Sequence, residues 1–331
     1  MNDPNLKDQL ARLVNGYWYT QTIYVAAKLG IADLLKDGPR SAEELAPTTG
    51  TNPRALYRLL RALASIGIFA EDQGRFMLTP LAECLLDPAT KAMVTMRGEF
   101  QYRAWGELLY SVQTGESAFE KQHGKPIFDY FTENPEAGNL FDQAMTGVHG
   151  RETEAMLEAY DFTGIGTLAD IGGGNGSVIT AILKKYPAMQ GIIFDLPGVL
   201  ERTSANIQEA GLEGRCQVVA GSFFETVPPG ADAYLMRHVI HDWDDGESLT
   251  ILQNCRKAIG QDGKLLVVEG LVPPSNEPSV SKFFDLAMMV VPGGMERTEE
   301  EYRKLFEAAG FRLTRIVPTK TWVSVIEGEP S

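Results

Sequence analysis

From about residue 161 onward, the sequence alternates between short β-rich runs and longer helical ones. The runs are "TLADI", "GIIFD", "CQVVA", "DAYLM" and "KLLVVE", and stretches such as "SVITAILKKY" and "SLTILQNCRKAIG" lie between them. Strands that are apolar throughout need cover on both faces, and the helical stretches supply it. The expected fold is therefore α/β, a parallel Rossmann-like sheet with helices on both sides. The last strand-like stretch, "FRLTRIVPTKTWVSVIE", reads as two strands and a short turn, an antiparallel hairpin closing the sheet edge. In such sheets ligands bind beyond the carboxyl ends of the strands, so the residues that follow each run are the candidates for chemistry.

The first run continues into "GGGNGS". Glycine-rich strand-to-helix turns bring backbone N–H groups close to a ligand. A phosphate-binding loop needs Gly-Lys-Ser/Thr, and no lysine follows the loop until Lys184. A dinucleotide fingerprint needs a third glycine where Ser177 stands. What remains is Asp170, then glycines at 172, 174 and 176. An acid within the loop repels a pyrophosphate and suits a cation. S-adenosyl-L-methionine has a sulfonium, an ammonium and no phosphate, so it is the expected cofactor, bound by Asp170, Gly172 and Gly174. Asp195, about 20 residues beyond the loop, ends the second strand, where an acid can accept from both ribose hydroxyls. Ser222 and Phe223 follow the third strand and border the adenine.

The fourth run ends in "RHVIHDWDD", which sets His241 among three aspartates at a strand end. Asp244 and Asp245 precede a helical stretch and are expected to cap it. A divalent ion held by His241, Asp242 and two glutamates is a competing reading, but there is no HxxxH or HxH pair, and no metal is expected. His123 and His149 carry no assigned role, although His149 could face a pocket.

The first hundred residues follow another pattern. "SAEELA" opens with a capping box, Ser41 and Glu44. "NPRALYRLLRALASIG" has Asn52 as cap, Pro53 at the first helical position and Gly67 as stop. "IFAEDQGRFMLT" follows as a hairpin. Helix, turn, helix and hairpin resemble a winged helix, which opens the alternative of a cofactor-sensing DNA-binding regulator. Charge argues against that alternative. This segment is net neutral, and the protein as a whole carries −14, a poor partner for nucleic acid or an anionic membrane. The aromatic, apolar segment "LVNGYWYTQTIYVAAKLGIADLL" suits burial in a dimer instead. Three scattered cysteines, no long apolar span and a polar start point to the cytoplasm. The expected domains are 1–100 for dimerisation, 101–160 as a helical linker to the substrate pocket, and 161–331 for cofactor binding and catalysis.

"LADIGGGNGSVITAILKKYP", "GIIFDLPGVL", "GSFFETVP", "HDWDD", "LLVVEGLVP" and "PGGMERTEEEYRKLFEAAGF" together resemble one family over nearly the whole chain. It is the O-methyltransferase family of plant caffeate and flavonoid enzymes, acetylserotonin methyltransferase and bacterial natural-product methyltransferases. The resemblance implies a class I methyltransferase fold, an intertwined homodimer and a small aromatic acceptor methylated on a hydroxyl. Nitrogen or carbon methylation on the same scaffold is the alternative. It also implies Arg237 as a cofactor contact, His241 as general base, and Glu269 and Glu296 as flanking acids. Phe141 and Met145 match acceptor-pocket positions, and Asp242 and Met288 are counted with them. Val291 stands where plant members often have Asn, which points away from a phenylpropanoid. A histidine with a pKa of about 6.5 is mostly neutral at pH 7 and can take a proton from a phenol. Glu269, ending the adjacent strand, is expected to fix its tautomer.

Overall fold

The computed structural model describes residues 4–331, apart from the side chains of Pro4, Thr146, Val148, His149, Glu201 and Arg202. The chain divides into two compact units, Met1–Arg103 with Asn134–Val148, and Ala104–Glu133 with His149–Ser331. The middle segment expected as a separate linker is thus shared out. Helix Pro135–Ala159 begins in the first unit and ends in the second, because its Ala155 and Met156 are buried, Met156 within the sheet's core.

In the first unit Ser41 caps helix Ala42–Thr49 through the full capping box with Glu44. Asn52 caps helix Pro53–Ala64 by accepting from the Ala55 N–H. Leu56, Leu60 and Leu63 are buried, while Arg54, Arg58 and Arg61 stay exposed, as the helical period demands. Three short strands, β1 (Arg40–Ser41), β2 (Phe69–Asp72) and β3 (Arg75–Leu78), pair antiparallel in the order β1-β3-β2. Phe69 and Phe76 pack with Ile31, Leu45 and Leu60 into one core. Winged-helix topology is therefore present. Helix Pro4–Val14 exposes Leu6, Leu10, Leu13 and Val14, and the next helix exposes Tyr17 and Trp18.

The second unit holds the large sheet: β4 (Thr167–Ile171), β5 (Gln190–Asp195), β6 (Cys216–Ala220), β7 (Ala233–Arg237), β8 (Lys264–Gly270), β9 (Phe311–Pro318) and β10 (Val323–Pro330). Its order is β6-β5-β4-β7-β8-β10-β9. The first five strands run parallel, and β10 enters antiparallel between β8 and β9. Alternate residues of each strand feed two cores. Ala169, Tyr234 and Met236 meet Ile251, Leu252 and Phe306 on one face. Leu168, Ile193 and Leu235 meet Val178, Ile182 and Ile207 on the other. Burying each large aliphatic side chain contributes about 1.5–3 kcal/mol, so these faces fix the strand order. The order reverses between β4 and β7, the point at which such sheets bind their ligands. No helix among the described residues is long and apolar enough to cross a membrane.

Candidate active site

The chain leaves β4 through a turn that only glycine adopts readily. Gly172 has φ 71° and Gly174 φ 56°, both left-handed. A Cβ on Gly172 would stand 2.8 Å from Val239 Cγ2, whereas nothing lies within 4 Å of one on Gly174. The loop is thus packed on one side and open on the other. Asp195, half-buried at the end of β5, braces it. One carboxylate oxygen accepts from the Gly174 N–H at 2.8 Å and the other from the Leu196 N–H at 2.7 Å.

Asp170 does not face the open side as expected. It is 1% exposed and lies beneath the loop, its Oδ2 3.0 Å from where a Gly173 Cβ would stand and without a hydrogen-bond partner. Burial pushes its pKa up to about 7, against the pull of Arg237. Arg237 is itself buried at the end of β7 and donates to Thr153 Oγ1 at 2.7 Å. Phe223 stands beside the loop, 3.8 Å from the Cβ position of Gly172, and packs edge-on against Trp243. Ser222 Oγ accepts from the Phe224 N–H. An open glycine turn, an acid at the end of β5 and a buried carboxyl with one oxygen unpartnered fit a cationic nucleoside such as S-adenosylmethionine better than a pyrophosphate.

Beyond β7 the backbone reverses sharply. His238 takes φ 53°, a strained value for a residue with a Cβ, and a short 3-10 turn follows at Ile240–Asp242. The turn delivers His241, 5% exposed. Glu296 Oε1 meets His241 Nδ1 at 2.6 Å. The other ring nitrogen, Nε2, has Asp242 Oδ1 at 3.7 Å.

Glu269 has a different task from the one expected. Its Oε1 accepts from the backbone N–H groups of Val239 and His241, each at 3.1 Å, and its Oε2 accepts from the Tyr302 hydroxyl. It therefore holds the loop, while Glu296 holds the ring. A strand-end acid is well placed for the unpaired N–H groups of the neighbouring turn, whereas Glu296 reaches the imidazole from the following loop.

The expected neutral histidine also needs correcting. Burial alone would lower the His241 pKa, but the carboxylates of Asp242, Glu296 and Glu269 outweigh it and hold the pKa at about 10. Asp242 is pushed up to about 7, chiefly by burial, and Glu296 is raised for the same reason. The cluster thus keeps a proton on the imidazole at neutral pH.

Two residues that no spacing in the sequence singled out complete the frame. Arg297 is fully buried. Its guanidinium donates to the carbonyls of Ile240 and Trp243, to Ser248 Oγ and twice to Asp245 Oδ1. Asp245 is thereby an ion-pair partner, while Asp244 alone is the helix cap, with Glu247 completing its box. Gly294 lets this loop lie on the histidine turn: a Cβ there would stand 2.1 Å from the His241 carbonyl oxygen. The Met295 N–H donates to that carbonyl at 2.9 Å.

Met288 is half-buried on helix Ser281–Val290, one turn beyond Phe284, whose ring is 5.9 Å from that of His241. Val291 is 4% exposed and belongs to the interior. Phe141 and Met145 belong to the other compact unit. The side chain of His149 lies outside the described residues. His241, Glu269 and Glu296 bring potential metal-ligand atoms within 4.8 Å of one another. Both oxygens of Glu269 and the Oε1 of Glu296 are already taken by hydrogen bonds, which suits a proton-holding cluster better than a metal cage. A surface depression of about 230 Å³, bordered by Asp161, Asp232 and Lys264, opens at the amino ends of the strands, away from this chemistry.

Residues 105–312 match a family described as an O-methyltransferase domain, and residues 11–88 match an O-methyltransferase dimerisation domain. The chain is 45% identical to a phenazine O-methyltransferase of Lysobacter antibioticus, over 98% of this chain and 96% of that protein. It is 32% identical to a phenazine-1-carboxylate N-methyltransferase of Pseudomonas aeruginosa, over 96% of each. A solved O-methyltransferase of neocarzinostatin biosynthesis, in complex with S-adenosylmethionine and 2-hydroxy-5-methyl naphthoic acid, superposes with a TM-score of 0.86 at 31% identity. That alignment covers 95% of this chain and 96% of the other. The glycine turn, the acid at the end of β5 and the histidine with its glutamates thus stand in a chain that belongs to the O-methyltransferase family and is an S-adenosylmethionine-dependent methyltransferase.

Proposed function

We propose that this enzyme methylates a hydroxyl of a small aromatic molecule, with His241 as the group that manages the acceptor's proton. The observation that carries this reading is the 2.6 Å contact between His241 Nδ1 and Glu296 Oε1 in a buried, acid-rich setting. Bound S-adenosylmethionine supplies an activated methyl group on a sulfonium. Gly172, Gly174 and Asp195 would hold its sugar side, Ser222 and Phe223 its adenine side, with Asp170 and Arg237 buried beneath the loop.

Glu296 fixes Nδ1 as the nitrogen that faces a carboxylate, so Nε2 is left to face the acceptor. An imidazole of pKa about 10 is matched to a phenol of similar pKa, about 10. In the fraction of enzyme whose imidazole is neutral, which grows as pH rises, moving the acceptor proton to Nε2 then carries little free-energy penalty. An ordinary histidine would lie over three units below the phenol, at about 1.4 kcal/mol per unit. The resulting imidazolium is stabilised by Glu296 on one side and Asp242 on the other. Holding donor and acceptor in line supplies up to about 7–11 kcal/mol in favourable cases.

The N-methyltransferase relative keeps a second reading open, in which the acceptor atom is an amine nitrogen. The test is transfer of a labelled methyl group to 1,4-dihydroxy-2-naphthoic acid, 3-amino-4-hydroxybenzoate and analogues lacking either the hydroxyl or the amine, with the product identified by mass spectrometry. Transfer should require the hydroxyl. Methylation of an acceptor that has only the amine would overturn the O-specific reading.

The exposed stripe of Leu6, Leu10, Leu13 and Trp18 supports a homodimer, because a contiguous apolar face of this kind calls for a partner. Sedimentation at micromolar concentration should give twice the chain mass of 36.3 kDa. A species at the single-chain mass would refute it.

A further inference from the structure

The C-terminal hairpin joins β9 to β10 through "TKTW", and its Trp322 has no part in the chemistry described so far. Four rings form a closed circuit at the carboxyl end of the sheet. His238 lies 5.0 Å from His241, His241 5.9 Å from Phe284, Phe284 4.7 Å from Trp322, and Trp322 5.6 Å from His238. The two imidazoles are nearly sealed, with side-chain exposures of 8% and 6%. Phe284 and Trp322 are only half-buried.

The indole is held rigidly nonetheless. Its Nε1–H donates to Glu152 Oε1 at 2.8 Å, and the other oxygen of that buried carboxylate meets His238 Nε2 at 2.8 Å. Its six-membered ring rests on the end of β8, which is possible only because residue 270 is glycine. A Cβ there would stand 2.2 Å from the indole Cζ3.

A partly exposed indole, pinned by a buried hydrogen bond and separated from the proton-managing histidine only by the rings of His238 and Phe284, is more than a core residue. We propose that Trp322, with Phe284, is the specificity-determining wall on which a fused-ring aromatic acceptor stacks beside His241. The proposal rests on the reading that the acceptor is aromatic. Fused rings offer more stacking area than a single ring, and offset or edge-on pairing with an indole strengthens the contact further. The wall therefore favours bicyclic and tricyclic acceptors over monocyclic phenols.

The test compares wild type, Trp322→Phe and Trp322→Leu on 1,4-dihydroxy-2-naphthoic acid and on monocyclic 3-amino-4-hydroxybenzoate. Binding is read first as quenching of tryptophan emission in the presence of S-adenosylhomocysteine, so that no turnover is needed. The naphthoate should quench wild type, and most of that quench should vanish in Trp322→Phe, although Trp18, Trp105 and Trp243 remain. Turnover is read second. Trp322→Leu should raise KM for the naphthoate about tenfold and for the benzoate much less, with kcat and its pH profile unchanged. Trp322→Phe should restore most of the loss, since it keeps a ring and gives up only the bond to Glu152. Equal effects on both acceptors, or a fall in kcat with a moved pH limb, would mean that Trp322 only supports the imidazoles, and the proposal would be overturned. It is equally overturned if neither acid quenches wild type. Because the quench needs no methyl transfer, it stands or falls separately from the O-methylation reading.

Discussion

Replacing His241 with alanine is expected to lower kcat by about 10²–10⁴ on a phenol of ordinary acidity, with little change in cofactor affinity. The imidazole is buried and meets Glu296 at 2.6 Å, so its removal takes away the only proton carrier in the cluster whose second nitrogen can face an acceptor. The loss should shrink across a series of acceptors of increasing acidity, because a phenol already ionised has no proton to give. Steady-state rates of wild type and mutant on that series decide the point. A deficit that does not depend on acceptor pKa would falsify the proton-managing role and leave His241 a structural residue. The pH dependence has a definite sign. Surrounding carboxylates raise the His241 pKa to about 10, so in the free enzyme the imidazole is protonated at neutral pH and the neutral base increases as pH rises toward that value. The kcat/KM profile should therefore keep rising above pH 7, where an ordinary histidine would have levelled off. Glu296→Gln removes one of the charges that hold the proton, so its rising limb should move to lower pH, with a smaller loss of kcat than His241→Ala.

Arg297→Met is expected to destabilise the fold by about 1–3 kcal/mol, the cost of taking a buried donor away from the acceptors gathered around it. Methionine fills similar volume but removes the donor that joins the carbonyls of Ile240 and Trp243, the Ser248 hydroxyl and Asp245, leaving the two carbonyls only the longer bonds from Ser248 and the Trp243 N–H. Those acceptors belong to the turn that carries His241 and to the helix after it, so activity should fall along with stability. Urea unfolding should show a lower midpoint with an unchanged slope. Arg303→Met is the control: its pair with Glu299 is exposed and one helical turn long, and such pairs contribute about 0.3–0.5 kcal/mol. A loss below about 1 kcal/mol for Arg297→Met would mean that water replaces its bonds and that the loop is not built on it.

The parallel sheet, its terminal hairpin and the winged helix were all legible in the sequence, because each rests on local rules. Strands buried on both faces are apolar throughout, caps are Ser, Asn or Asp at fixed offsets, and left-handed turns are glycine. The positions of Gly172, Asp195 and His241 followed from the same rules, since strand ends are where such sheets place their ligands. The placement of Asp170 was not legible, because a sequence does not say which way a loop folds over its own acid: the carboxylate lies under the glycines rather than over them. The two glutamates were both found, but their tasks were not. Which of them meets a ring and which meets a backbone depends on a loop that arrives from some fifty residues away, and only packing sets its height above the strand ends. Arg297, Tyr302 and Trp322 were invisible for a related reason. Their partners are carbonyls, a strand-end acid and Glu152 on a distant helix, and no periodicity links residues that meet only after the sheet has closed. The sequence by itself determined the architecture and the cofactor class, which follow from short-range chemistry repeated along the chain. The tertiary structure alone decided which carboxylates meet His241, because Asp242, Glu269 and Glu296 come from three separate elements that only folding gathers into one buried volume.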